Sequence, residues 1–280
     1  MLTLFTIPKP MRGASAVAQL NALRSWRALG EDVEILVFGD EEGVGEAAEE
    51  VAARHVPEIG RNEWHTPLVS DAFAAASRLA SSAQLCYTNA DLILFSDLVT
   101  AVRRVTRPAL VVGRRINLAV DGELTFESEW EERIRRTAAE RGGPGTEREI
   151  DYMAFPREVP WEMPPLAVGR PGWDNWVLYR ARSLGLAVVD ASSVVLAVHQ
   201  RHGYDHVRGR IGPRWQGPEA DRNWAMIADM GTAYGILDAS HVLTPRGLRP
   251  AIGLRHLKRR ARRHRLLGRG VRMVDEIRTG

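Results

Sequence analysis

The hydrophobic pattern opens with Leu2-Thr3-Leu4-Phe5-Thr6-Ile7, an alternating run of β-formers that Pro8-Lys9-Pro10 ends, so a first strand should open into a loop. Val17, Leu20, Leu23 and Trp26 then fall at helical spacing between Ser15, a candidate N-cap, and Gly30, which predicts a helix over residues 15–29. Val33 to Phe38 reads as a buried strand running into Gly39-Asp40. A helix fits Val44 to Arg54, a short strand His55 to Ile59, a helix the stretch from Thr66-Pro67 through Leu79, and a strand Leu85 to Thr88. Beyond Asp97 the spacing predicts a helix to Val105, then a strand at Ala109 to Gly113. Glu127 to Glu149 is highly charged and broken by Gly142-Gly143-Pro144-Gly145, which predicts a surface insertion. Val188-Val189 and Val194 to Val198 look like further strands.

Strands and helices that alternate in this way predict an α/β fold, a single Rossmann-type domain with a mostly parallel central sheet and helices on both faces. The length of 280 residues admits one large domain or two small ones. No internal repeat divides the chain, and its only compositional break is a basic segment near the end. The expected division is therefore a domain over residues 1–250 and a basic helix or tail over 251–280. The lone Cys86 lies in an apolar run and reads as a small buried residue. No basic leader precedes the short apolar start, and no stretch approaches ~18 apolar residues, so a soluble, cytoplasmic protein is expected.

The net charge is only +3, but Arg255 to Arg272 contains no acidic residue. Its bland reading is a solvated helix; its functional readings are salt-sensitive contact with anionic lipid headgroups at the inner face of a membrane, or with nucleic acid. Leu257, Leu266 and Leu267 are too few for an apolar face, and nucleic acid is the less favoured partner.

Candidate chemistry begins at Tyr87-Thr88-Asn89-Ala90-Asp91, where a strand delivers two oxygen-bearing side chains at i, i+2 spacing. Hard cations prefer such ligands and can bridge them to phosphates, although Asn89 and Asp91 could equally shape a turn or cap the next helix. Arg114 and Arg115 follow a strand and could clamp a diphosphate, with one of the pair expected to be only a surface salt-bridge partner. Asp174 stands between Trp173 and Trp176 just after Gly172, which suggests an exposed turn with aromatic walls. Indoles stack on sugar C–H faces, and a neighbouring carboxylate can take a proton from an acceptor hydroxyl; a helix cap with two core tryptophans is the alternative. Asp151 could bind the acceptor or serve as the base. His199, His202 and His206 could also form a zinc site, but no Cys or HExxH helix accompanies them.

Several segments in order resemble glycosyltransferases with the nucleotide-diphospho-sugar transferase (GT-A) fold: Gln19 to Trp26, Phe38-Gly39-Asp40, Thr66-Pro67-Leu68, Asn89-Ala90-Asp91, Gly113-Arg114-Arg115, Asp151-Tyr152, Phe155-Pro156, Gly172 to Trp176 and His199-Gln200. The resemblance covers the chain to about His206. It implies a hexosyltransferase-type enzyme, probed by three expectations. A divalent metal, Mn²⁺ or Mg²⁺, would be held by Asp91 and completed by His199. Asp40 would meet the base or ribose of a nucleoside-diphosphate sugar donor, with Asn89, Arg114 and Arg115 also on the donor side. The sugar would pass to an acceptor hydroxyl on a glycan, a lipid-linked molecule or a small molecule; both inverting and retaining enzymes use this fold, and Asp174 between Trp173 and Trp176 against the sugar suits inversion, with Asp174 or Asp151 as catalytic base. Asn89 replaces the first acid of the family's Asp-x-Asp element, which keeps open a non-catalytic module that binds a nucleotide-sugar or an anionic polymer. A sugar nucleotidyltransferase is the other alternative, but Pro8 to Gly13 is not the glycine-rich basic loop such enzymes carry.

Overall fold

The computed structural model of the protein describes residues 1–201, 216–227 and 234–262. In chain order the first half contains β1 (Leu2–Thr6), α1 (Gly13–Arg27), β2 (Val33–Phe38), α2 (Val44–Glu50), β3 (Arg54–Val56), α3 (Val69–Leu79), β4 (Gln84–Thr88), β5 (Leu92–Leu94), α4 (Ser96–Arg104) and β6 (Ala109–Val112). The second half adds β7 (Ile116–Leu118), α5 (Trp130–Arg141), β8 (Gly143–Pro144), β9 (Tyr152–Pro156), α6 (Trp173–Ser183), β10 (Ala187–Asp190), β11 (Ala197–Gln200), α7 (Pro218–Met226), β12 (His241–Thr244) and β13 (Gly247–Pro250).

A nine-stranded sheet runs in the order β13-β12-β10-β6-β9-β4-β1-β2-β3. It is parallel except where β9 enters antiparallel between β4 and β6 and where β13 turns back on β12. Its strands read as continuous apolar runs because both faces are covered. Leu4, Ile35, Cys86 and Val189 pack on one face with Trp26 of α1, Ala48 of α2 and Leu98 of α4. Their neighbours Phe5, Leu36, Tyr87 and Val188 pack on the other with Phe73 of α3 and Val177 of α6. Each large side chain so buried contributes about 1.5–3 kcal/mol. The fold class read from the sequence therefore holds.

Individual elements depart from the sequence reading for local reasons. Helix α1 starts at Gly13, ahead of Ser15, and no side chain caps it. Gln19 fixes its approach instead, accepting from the Lys9 amide at 2.7 Å and donating to the Lys9 carbonyl at 3.0 Å. Helix α3 starts only at Val69, because Pro67 and Leu68 are drawn into bridges with Arg61 and Ala167. The charged stretch expected as a surface insertion is built into the molecule: Trp130, Ile134 and Ala138 form one face of α5 and pack against Phe95 and Val198. That face covers a second, four-stranded sheet in the order β5-β11-β7-β8. Strand β9, central in the main sheet, and strand β5 were not expected.

Helix α6 opens from Gly172, whose φ of +90° lies in the left-handed region. A Cβ built there would stand 2.2 Å from Cδ1 of Ile227, itself 4% exposed. Gly172→Ala should therefore lower stability by about 1–3 kcal/mol, read as a lower urea midpoint at unchanged slope; an unshifted midpoint would show that the turn relaxes freely.

Candidate active site

The sheet topology gathers the chemistry at one edge. Strands β2, β4 and β6 are parallel, so Asp40, the 89–91 turn and Arg114-Arg115 all follow carboxyl ends on the same side, where open α/β sheets place their ligands. Antiparallel β9 starts from that edge and so puts Asp151 there. Helix α6 leads into the start of parallel β10, which sets its N-terminus and Asp174 toward the same side.

After Asp91 the chain enters β5, which pairs antiparallel with β11 so that Leu92 lies opposite His199. This register brings the His199 Nε2 to 3.7 Å from the Asp91 Oδ2, with the two side chains 9% and 14% exposed. Gln200 fixes the turn from behind: its amide and its Nε2 donate to the Asp91 carbonyl at 3.3 and 3.2 Å, and the same Nε2 donates to the Ala18 carbonyl at 2.7 Å. Asn21 of α1 donates to the Gln200 Oε1 at 3.0 Å. Trp26 and Ser25 of α1 complete the backing, Trp26 Nε1 donating to the Leu92 carbonyl at 2.8 Å and Ser25 Oγ accepting from the Leu94 amide at 3.2 Å.

Asp151 is 5% exposed, yet both its oxygens are engaged. Asn89 Nδ2 donates to its Oδ1 at 2.7 Å, and Arg115 NH1 pairs with its Oδ2 at 2.7 Å. Arg115 also pairs with Glu149 at 2.5 Å, and its carbonyl accepts from the Gly145 amide at 2.8 Å. Burial pushes the Asp151 carboxyl above the usual carboxylate range, against the pull of Arg115 and His199, and Asp91 adds to the rise. Burial also opposes the Arg115 charge, but Asp151 and Glu149 more than restore it.

Tyr87 links this cluster to α6. Its hydroxyl donates to Asn89 Oδ1 at 3.4 Å and its ring meets Trp173 edge-on at 4.8 Å. Burial raises its pKa, and the charges of Asp91, Asp151 and Asp174 raise it further. Asp174 thus acts on the same hydroxyl as the other two carboxylates, from a half-buried position in the first turn of α6. Trp173 and Trp176, expected as walls against a sugar, are instead 6% and 7% exposed and belong to the core under α6. Asn89, expected on the donor side, spends its side chain on Asp151 and Tyr87. Arg115 is a buried ion-pair partner, not a surface one. Asp40 is largely exposed and pairs with Arg61, which also holds Glu41 at 2.9 Å. Arg114, half-buried, has its amide held by Ser192 Oγ at 2.8 Å. His202 and His206 lie outside the described residues. Burial lifts the Cys86 thiol to about 12, which makes it a packing group.

Asp91 and His199 form an oxygen–nitrogen pair suited to Mg²⁺ or Mn²⁺. Their separation of 3.7 Å is too long for a hydrogen bond. Among the described residues no group of three or more His, Cys, Asp or Glu side chains is placed to hold a metal. Gln200, Asn21, Glu149 and Tyr87 were given no role from the sequence. Their signal was polar residues inside apolar stretches: α1 buries Gln19, Asn21 and Ser25 along with Ala22, Leu23 and Trp26.

No protein-family model matches the chain, and no curated protein does. In fold it is similar to glucosyl-3-phosphoglycerate synthase from Mycobacterium tuberculosis, solved with Mg²⁺ and uridine-diphosphate: identity is 14%, TM-score 0.46, and 82% of this chain and 79% of that one are covered. It is likewise similar to a mannosyltransferase from Pyrobaculum calidifontis solved with GDP-Man and Mn²⁺, at 16% identity and TM-score 0.47 over 83% and 70% of the chains. The likeness is one of overall fold and assigns no residue a role.

Arg115→Met would leave the Asp151 carboxyl buried without its cation, a change that costs about 3–5 kcal/mol. The carboxyl's native pKa would rise further above its unfolded value, so the penalty is full above the native pKa and is relieved as Asp151 takes up a proton on acidification. Chemical denaturation across pH should show the gap between wild type and variant narrowing toward acid; a gap independent of pH would mean that Asp151 is not the group left unpaired.

Proposed function

We propose that the chain is a glycosyltransferase that moves a sugar from a nucleoside-diphosphate sugar to an acceptor hydroxyl, with Asp91 and His199 as the residues that would hold a divalent cation. The observation that carries this reading is the pairing of Asp91 with His199 at 3.7 Å on the ligand-binding edge of the sheet, imposed by the β5–β11 register. The resemblance of the segments around these residues to GT-A glycosyltransferases supports it. When bound, the cation supplies Lewis acidity that stabilises the departing nucleoside diphosphate.

The protein's own groups do the rest. Asp151, Arg115, Asn89 and Gln200 position the turn that carries Asp91. Arg114, at the same edge and not drawn into the Asp151 cluster, is a cation available to the diphosphate, and Asp40 faces the nucleoside. Asp174 takes the proton of the acceptor hydroxyl as its oxygen bonds to the anomeric carbon and the bond from that carbon to the diphosphate oxygen breaks, which inverts the centre. The tryptophans beside Asp174 hold α6 rather than the sugar.

Thermal stability measured with a panel of nucleotides and nucleotide sugars, each with Mn²⁺, Mg²⁺ or a chelator, tests the reading. One nucleoside diphosphate with metal should stabilise the protein, by about 2.7 kcal/mol at ~100 times its dissociation constant. Asp91→Asn and His199→Gln should lose the metal-dependent part, and turnover of the matching sugar donor should fall about 10²–10³-fold. Nucleotide binding without any product, equal with and without metal, would favour a binding module; a panel with no response would overturn both.

A further inference from the structure

The basic segment read as a solvated helix or membrane contact has its described part, residues 254–262, in helical form and docked on the protein. His256 Nδ1 lies 3.1 Å from the Leu237 carbonyl, Arg259 pairs with Asp238 at 3.1 Å, and Arg255 pairs with Glu147. Arg255, Lys258, Arg259 and Arg262 stand at i, i+3, i+4 and i+7, the spacing of one helix face. That face does not simply point into solvent. Together with Arg148, Glu147 and the turn at Gly235 to Asp238, it lines a cavity of about 310 Å³, the lower end of the ~300–1,000 Å³ typical of small-molecule sites.

Among the described residues the charges lining this cavity do not balance. Five cations line it against two carboxylates, Glu147 and Asp238, and both carboxylates are already paired with Arg255 and Arg259. Arg148, Lys258 and Arg262 have no carboxylate partner among the described residues. Holding the helix needs only the two pairs, so three further cations around one concavity repel one another without a structural return. The backbone narrows the cavity as well: Ile236 donates to the Glu147 carbonyl at 3.0 Å, and a Cβ at Gly235 would stand 2.7 Å from that oxygen. Guanidinium forks and an ammonium converging on a small cavity are the donor set for a phosphate dianion.

We propose that this cavity is a binding site for a phosphomonoester. Arg148, Lys258 and Arg262 supply its uncommitted cations. The ligand is a phosphorylated small molecule or the headgroup of a phosphomonoester lipid, which share the dianion that the cavity reads.

The test uses the full chain and two probes: glycerol 3-phosphate, followed by calorimetry, and phosphatidylcholine vesicles carrying phosphatidic acid, followed by co-sedimentation. The variants are Arg148→Gln/Lys258→Gln and, separately, Arg262→Gln; none removes an ion pair, so each should keep the wild-type melting temperature. Binding of the soluble probe that weakens at least tenfold in the double variant, and that persists in Asp91→Asn, supports the site with a soluble ligand. Co-sedimentation alone, lost in the same variant and weakened by salt, supports it with a lipid headgroup. Failure of both probes, or equal binding by the wild type and both cavity variants, overturns the proposal.

Discussion

A buried carboxylate has to find its partners inside the protein, and Asp151 imposes that condition on everything around it. An unpaired charge at that depth costs several kcal/mol, so the chain supplies Arg115 from the end of β6 and an amide from Asn89 beyond β4. Arg115 in turn needs Glu149, and the loop from Gly145 to Asp151 is tied to the Arg115 carbonyl through Gly145. Three connections that leave the sheet at different strands are thus locked into one arrangement. The turn carrying Asp91 is one of them. Its geometry follows from satisfying Asp151 on one side and from Gln200, Asn21 and Trp26 on the other.

The legible part of the fold was the part set by local pattern. Runs such as Val33 to Phe38 and Leu85 to Thr88 could only be buried strands, and the alternation with helices implied a parallel sheet covered on both faces. What escaped was set by distant partners. Tyr152 to Pro156 carries no periodic signature that separates a central antiparallel strand from an apolar loop; it becomes a strand because β4 and β6 leave a gap that its hydrogen bonds fill. Trp130, Ile134 and Ala138 do show helical spacing, but the surrounding charge hid it, and nothing local says that Phe95 would receive that face.

The candidate site divides in the same way. Asp91 and His199 were named from the sequence and stand together. Trp173 and Trp176 were named for stacking but lie in the core, because an aromatic at the start of a helix over a sheet gains more from burial against Tyr87 than from solvent exposure. Asn89 occupies the position of an expected acid, and its amide explains why an acid would fit poorly: a carboxylate there would face the Asp151 carboxylate where Asn89 Nδ2 now donates at 2.7 Å. If the proposed function holds, the departure from the Asp-x-Asp pattern is compensated by the neighbour it touches.

On the function proposed above, that compensation bears on how an anionic donor approaches. Asp91, Asp151 and Asp174 all act electrostatically on the Tyr87 hydroxyl, so a diphosphate arriving at this edge enters a field shaped by three carboxylates. Arg115 answers that field only locally, since its guanidinium is shared by Asp151 and Glu149. A divalent cation at Asp91 and His199 would convert the same acidity from a barrier into the means of holding the donor. The acid lost at position 89 then matters less than the acid kept at position 91, because Asp91 is the carboxylate that the β5–β11 register sets against an imidazole.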